Sequence, residues 1–282
     1  MISIIICSKY SDISSKLKHN IEKTIGVPFE LIIIDNSNNK YSIFEAYNIG
    51  VAKAKFEILC FMHEDILYHS SDWGKQVLNE LSNPEIGIIG LAGSYYLLNI
   101  PSPWYKAKPF VKNLIQYRGK DRAPKIYTMK EKRAEVVCVD GFWFCSKRNI
   151  FQDIRFDTET YNGFHFYDLD ICTQIRNHGY KAIITSEISV EHFSGGNLNT
   201  QWIEDSVRFY NKWNTCYPIQ VNCWNKRRSF GEVRAFRDLL WLAKKNKIST
   251  SLKREINKIA QKELGTFRTM VAKVLLLLKR KK

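Results

Sequence analysis

Three polar residues, His63-Glu64-Asp65, end the apolar run Ile58–Met62. Such groups at the end of a buried strand must face solvent, a ligand or a metal. His192 follows a second apolar stretch, Ile183 to Val190, in the same way. The carboxylate of Asp65 and the imidazole of His192 together suit a divalent ion, Mn²⁺ or Mg²⁺, beside phosphate oxygens. The competing reading is a solvated turn after the first strand and a hydrogen-bonded structural histidine after the second. Further along, Tyr167-Asp168-Leu169-Asp170 opens a helical pattern that Gly179 closes. At helical spacing Asp168 shares a face with Ile171, Cys172 and Ile175, while Asp170 points about 200° away. Asp168 therefore leans inward near a helix N-terminus, where the dipole favours the ionised form that a general base needs. Its alternative role is to cap the helix; Asp170 reads as a solvated or capping residue.

These groups need elements that bring them together. Ser3 to Cys7 reads as a strand ending at Ser8, and Leu31 to Ile34 as a strand ending at Asp35. Ile86 to Ala92 is a further buried strand, followed by Gly93-Ser94. Between the strands, Ile13, Leu17, Ile21 and Ile25 recur at helical spacing behind a Ser11 or Asp12 cap. Ser42 to Glu45 has capping-box spacing and opens a helix through Ala54. Ser70 or Ser71 caps a third helix, with Trp73, Val77 and Leu81 on one face. This β-α-β-α-β-α-β order, with strands apolar throughout, predicts an α/β fold with a mostly parallel sheet flanked by helices. Ligands then sit at the carboxyl ends of the strands, where Ser8, Asp35, His63–Asp65 and Ser94 fall. From Tyr95 to Glu135 the periodicity fails, and the stretch reads as a long functional loop. Order resumes at Val136 to Val139, Asp140-Gly141 and Phe142 to Cys145.

The net charge is +15, and it is unevenly placed. Residues 226–282 carry 18 Lys and Arg against 4 Asp and Glu, whereas residues 1–225 carry 25 against 24. The expected organisation is a catalytic domain over 1–225 and a basic helical extension over 226–282. Seven cysteines without a CxxC pair, mostly in apolar runs, predict reduced buried thiols in a cytoplasmic protein. The start, MISIIIC, lacks the basic region of a signal peptide, and no segment has the roughly 18 apolar residues of a spanning helix. A zinc HExxH, a GxxxxGK[ST] phosphate loop and a GxGxxG turn are all absent, which argues against ordinary nucleotide hydrolases and dinucleotide enzymes.

In the extension, Ile256, Ile259, Phe267, Met270, Val274 and Leu278 fall on one helical stripe, interrupted by Glu263. Arg254, Lys258, Lys262, Arg268, Lys273 and Arg280 lie mostly opposite, and the chain ends in Lys279 to Lys282. Such a helix can lie on an anionic membrane, which would place the protein on the inner face of the cytoplasmic membrane, or it can pack on its own body. A polycation can also bind nucleic acid, which would make the body a degenerate transferase, but no nucleic-acid motif accompanies the charge.

Taken together, SIIICSKY, LIIIDNSNN, AYNIGVAKAK, ILCFMHED, VDGFWFCSKRNIF, FYDLDICTQIRNHGYK and VEHFSGG resemble a family 2 type glycosyltransferase of GT-A fold. The similarity, over about residues 1–200, is to a bacterial branch carrying HED in place of Asp-x-Asp. The resemblance implies an inverting transferase that takes a sugar from a nucleotide-diphosphate donor, UDP-sugar favoured, for a glycan or lipid-linked acceptor of surface polysaccharide assembly. It places Ser8, Asp35, His63, Glu64, Asp140 and Gly141 around the nucleotide sugar, Asp65 and His192 on the divalent metal, and Asp168 as base. Two departures stand out: His63 replaces an Asp, which removes a charge from the metal site, and Tyr167 replaces the Glu that usually precedes the base.

Overall fold

Residues Ile2–Ser8 form the first strand, β1, with Ile2, Ile4, Ile5 and Ile6 fully buried. The structure, a computed structural model, describes residues 1–117, 123–221 and 231–278. The chain continues through α1 (Ser15–Thr24), β2 (Phe29–Asp35), α2 (Ile43–Lys53), β3 (Ile58–Met62), β4 (Ile66–Tyr68) and α3 (Trp73–Leu81). Next come β5 (Ile86–Gly90), β6 (Ala92–Ser94), β7 (Phe110–Lys112), β8 (Leu114–Gln116), β9 (Lys125–Tyr127), β10 (Arg133–Val136), β11 (Cys138–Val139) and β12 (Trp143–Lys147). The helix α4 (Tyr167–Asn177) precedes β13 (Lys181–Thr185) and β14 (Val190–His192), and α5 (Thr200–Trp213), α6 (Gly231–Lys245) and α7 (Thr250–Leu278) follow.

The central sheet has seven strands in the order β10-β13-β5-β12-β3-β1-β2. β1 runs parallel to β2 and β3, and β13 runs parallel to β5. β12 lies antiparallel between β3 and β5, and β10 lies antiparallel to β13. Five of the seven strands therefore run in one direction, as the apolar strands predict, with β12 threaded backwards through the middle and β10 reversed at one edge. Helix α2 packs on β1 and β2, α3 on β5 and β12, and α4 on β5 and β13. Two smaller sheets, β11-β6-β7 and β4-β14-β8-β9, complete the layers.

Local chemistry explains where the elements depart from expectation. The first helix starts at Ser15 with Ser14 as cap, accepting from Leu17 N at 3.2 Å, because Asp12 is held by Lys18 and by Ile13 N. Ser70 does not cap α3: its hydroxyl accepts from Ser189 N at 3.0 Å, and the helix starts from Asp72 in a left-handed conformation (φ 57°). The apolar run after Ile183 breaks into β13 and β14, because Thr185 Oγ1 accepts from Glu187 N at 3.2 Å and turns the chain. The run after Ile86 likewise divides into β5 and β6, and the expected loop 95–135 contains β7, β8, β9 and part of β10. Cys60, Cys138, Cys145 and Cys172 are buried; Cys223 lies outside the described residues.

Contacts divide the chain into two compact units, one of residues 1–93 and 110–196 and one of residues 94–109 and 197–282. The expected boundary at 225/226 and the closing Lys279 to Lys282 lie outside the described residues. In the second unit, α7 is broken at Gly265, whose φ of 73° and ψ of 169° suit glycine alone. The expected single stripe is broken with it. Ile256 and Ile259 are buried, whereas Phe267, Met270 and Val274 are exposed. Glu263, which interrupts the stripe, is held by Tyr210 Oη at 2.5 Å and Asn99 Nδ2 at 3.0 Å. Among the described residues no helix is long and apolar enough to cross a membrane.

The capping box forms as its spacing predicts: Ser42 Oγ accepts from Glu45 N at 3.2 Å, and Glu45 Oε2 accepts from Ser42 N at 2.8 Å. Replacing Ser42 with Ala should lower stability by about 1 kcal/mol in urea unfolding, with an unchanged denaturant slope.

Candidate active site

The carboxyl ends of the parallel strands assemble one polar cluster. Ser8 of β1 and Asp35 of β2 are register partners. Ser8 Oγ donates to Glu64 Oε2, and Lys9 N donates to Glu64 Oε1 at 3.2 Å, so Glu64 ties the turn after β3 to the end of β1. Asp35 is exposed and accepts from Ser37 N at 2.9 Å, which holds its carboxyl below the usual range. Beside them, His63 N donates to Phe142 O at 2.9 Å, locking the end of β3 to the turn that enters β12.

Asp65 Oδ1 lies 3.8 Å from His63 Nδ1 and 3.6 Å from His192 Nε2. Ligand-capable atoms of the three residues all lie within 4.8 Å of one another. Burial keeps both imidazoles neutral: desolvation, reinforced by the neighbouring His192, brings His63 down to about 4, and burial also lowers His192. Their other ring nitrogens are engaged, His63 Nε2 with Tyr167 Oη at 2.9 Å and His192 Nδ1 with the Gln116 amide at 3.4 Å. Phe142 stacks on His192 at 4.6 Å. Two neutral imidazoles, that of His63 held at its far nitrogen by the Tyr167 hydroxyl, and one carboxylate fit a first-row divalent ion. His63, expected beside the nucleotide, thus joins the two residues expected on the metal.

The opposite wall is the first turn of α4. Phe166 is left-handed (φ 68°), so the helix begins abruptly and without a side-chain cap. Asp168 Oδ2 accepts from Gly141 N at 2.9 Å, and Oδ1 accepts from Leu169 N at 2.9 Å. Gly141 has to be glycine here, because a Cβ would lie 2.2 Å from Tyr167 Oη. Asp140 N is fixed by Ala92 O at 2.7 Å.

Two expectations about this helix need correction. The helix end and these backbone donors favour the ionised form of Asp168, yet burial and then the charge of Asp140 outweigh them and push its carboxyl up to about 7. Asp170 is not solvated: it is 1% exposed, with Gln174 Nε2 at 2.8 Å and Tyr161 Oη at 3.4 Å. The chain between β12 and α4 covers the side of the helix that the periodicity leaves open, and Tyr161 is its inward residue.

Ser8, His63, Glu64, Asp65, Asp140, Gly141, Asp168 and His192 therefore come together, and Asp35 joins them through strand register. Sequence reasoning missed the bridge from Tyr167 to His63, the Phe142 stack and the Gln116 support. The only signal for Tyr167 was its place before Asp168; for the other two there was none.

A family model described as "Glycosyltransferase like family" matches residues 3–229. The chain belongs to that family. A sequence search of curated proteins gives no match. Among solved structures, the mannosyltransferase PcManGT from Pyrobaculum calidifontis, in complex with GDP-Man and Mn²⁺, is 12% identical with a TM-score of 0.51, over 98% of this chain and 86% of its own. TarS 1–349 of S. aureus, in complex with UDP-GlcNAc, is 10% identical with a TM-score of 0.51, over 93% and 80%. GalNAc-T7 with UDP, GalNAc and Mn²⁺ is 13% identical with a TM-score of 0.53, over 92% of this glycosyltransferase-family chain, which spans 56% of that protein. At these identities the likeness establishes the fold, which is that of the GT-A glycosyltransferases.

The raised Asp168 carboxyl has a stability consequence. An unfolded Asp titrates near ~4, so the folded protein holds an extra proton between there and about 7, and ionisation destabilises the fold as the pH rises through that window. Asp168→Asn should therefore gain on the wild type in melting temperature from pH 4 to pH 8. Parallel curves for the two proteins would contradict the shift.

Proposed function

We propose that this family member is an inverting glycosyltransferase that moves a sugar from a nucleotide-diphosphate donor to an acceptor hydroxyl. The observation that carries the reading is a carboxyl one residue from a cluster that could hold a metal: Tyr167 bonds His63, and Asp168 follows it on the same helical turn. The neighbours that share the fold were crystallised with UDP, UDP-GlcNAc or GDP-Man, which supports a nucleotide-sugar donor, and UDP is favoured among them. Two of them also hold Mn²⁺.

His63, Asp65 and His192 would hold the divalent ion, Mn²⁺ or Mg²⁺. Bound there, the ion supplies positive charge against the donor diphosphate and eases its departure. The remaining work falls to the chain's own side chains. Asp35, at the exposed end of β2, faces the nucleoside, and Ser8 and Glu64 shape the floor beside it. Asp140 and Gly141 line the turn beside the sugar. Asp168 takes the proton from the acceptor hydroxyl; the acceptor oxygen attacks the anomeric carbon while the bond to the diphosphate breaks, and the nucleoside diphosphate leaves with the electron pair. One base is enough for a single displacement with inversion, so no covalent sugar–enzyme intermediate is needed. A carboxyl near 7 matches general-base work at neutral pH, and the pH–rate profile rises as Asp168 loses its proton. The acceptor we favour is a lipid-linked or surface glycan, met at the cytoplasmic face of the membrane.

Calorimetry with UDP-sugars and Mn²⁺ tests the reading. Donor binding should require the metal and be lost in Asp65→Ala. In Asp168→Asn, donor binding should persist while turnover falls by roughly 10²- to 10⁴-fold. Metal-independent binding in Asp65→Ala, or normal turnover in Asp168→Asn, would overturn it.

A further inference from the structure

Residues 266–278 form a helix whose apolar side faces outward. Phe267 is 73% exposed, Met270 58%, Val274 47% and Leu277 59%. At about 100° per residue these four fall within an arc of about 80°. The back of the same helix is anchored: Ala272 is fully buried, Thr269 is 3% exposed, and Thr269 Oγ1 donates to Ala260 O at 3.2 Å. The outward face is therefore held in place by the helix's own packing and is no product of fraying.

The Gly265 break creates this presentation. On an unbroken helix Phe267, eleven residues after Ile256, would return to within about 20° of it. It would then continue the stripe that Ile256 and Ile259 bury. The left-handed glycine turns the second segment so that the same periodicity points away from the core.

We propose that this face docks on an anionic phospholipid membrane surface. Charge decides the occupant. Arg268 and Lys273 are both exposed and flank the apolar arc, about 100° to one side of Phe267 and about 120° to the other. From Leu264 to Lys282 the sequence has six Lys and Arg and no Asp or Glu. Long basic side chains on both flanks reach headgroup phosphates while the apolar arc enters the headgroup–acyl boundary. A second copy of the helix would bring like charges together with no acid to pair them. A nucleic acid would need its cations on the outermost face, which here is apolar. The proposal stands on this helix and not on the transfer reading, so its failure would leave sugar transfer untouched.

Flotation of the full-length protein tests it, with vesicles of phosphatidylcholine alone or mixed with phosphatidylglycerol. Binding should occur on the mixed vesicles, weaken by about tenfold or more at high salt, and be weak on the neutral ones. Phe267→Ser/Leu277→Ser, at exposed positions that leave the fold intact by circular dichroism, should abolish binding. Arg268→Gln/Lys273→Gln should reduce it by about tenfold or more on the mixed vesicles only. No binding at low salt, or full binding by the serine variant, would overturn the proposal. So would a dimer in light scattering that the serine variant dissociates, or duplex DNA binding that the serine variant retains while failing to bind vesicles.

Discussion

The 2.9 Å hydrogen bond from Gly141 N to Asp168 Oδ2 sets how closely α4 approaches the turn into β12, and the rest of the site depends on that approach. A side chain at position 141 would collide with Tyr167, so the contact exists only because that position has none. With the helix this close, Tyr167 reaches His63, and Asp168 comes near enough to Asp140 to feel its charge. The turn itself is pinned from both sides, by His63 N on Phe142 O and by Asp140 N on Ala92 O. β12 runs antiparallel between β3 and β5 and so begins at their carboxyl ends, which is where these bonds form.

The site separates two kinds of ionisable group by how much water reaches them. Desolvation keeps the His63 and His192 rings neutral and so available as donors. The same effect raises Asp168, which a solvated carboxylate such as Asp35 escapes. Asp35 is lowered instead by the backbone donor of Ser37, as befits a strand end open to solvent. One strand edge thus holds a permanently charged rim and a floor whose charge depends on what enters it.

Much of this was legible in the sequence because strand ends announce themselves: an apolar run that stops at Ser8, Asp35 or His63 puts polarity where a sheet meets solvent. The Ser42–Glu45 box was legible for the same local reason. What escaped was non-local. The backward insertion of β12 leaves no trace in the composition of Trp143–Lys147, which is as apolar as a parallel strand. The stretch after Tyr95 hid short strands because each has only three or four residues, too few to show a period. The burial of Asp170 depends on Tyr161, nine residues earlier and in no regular element. The tail was misread as one stripe because helical periodicity counts residues, and a glycine that resets the direction of the chain leaves that count unchanged.

A carboxyl that titrates close to the ambient pH gains and sheds its proton with comparable ease. In the proposed transfer, a much weaker acceptor would leave an alcohol undeprotonated, and a much stronger one would stay protonated. On the proposed transfer reading, the pairing of Asp168 with Asp140 in a sheltered corner would bear on how soon the side chain can serve again as well as on how it serves the first time.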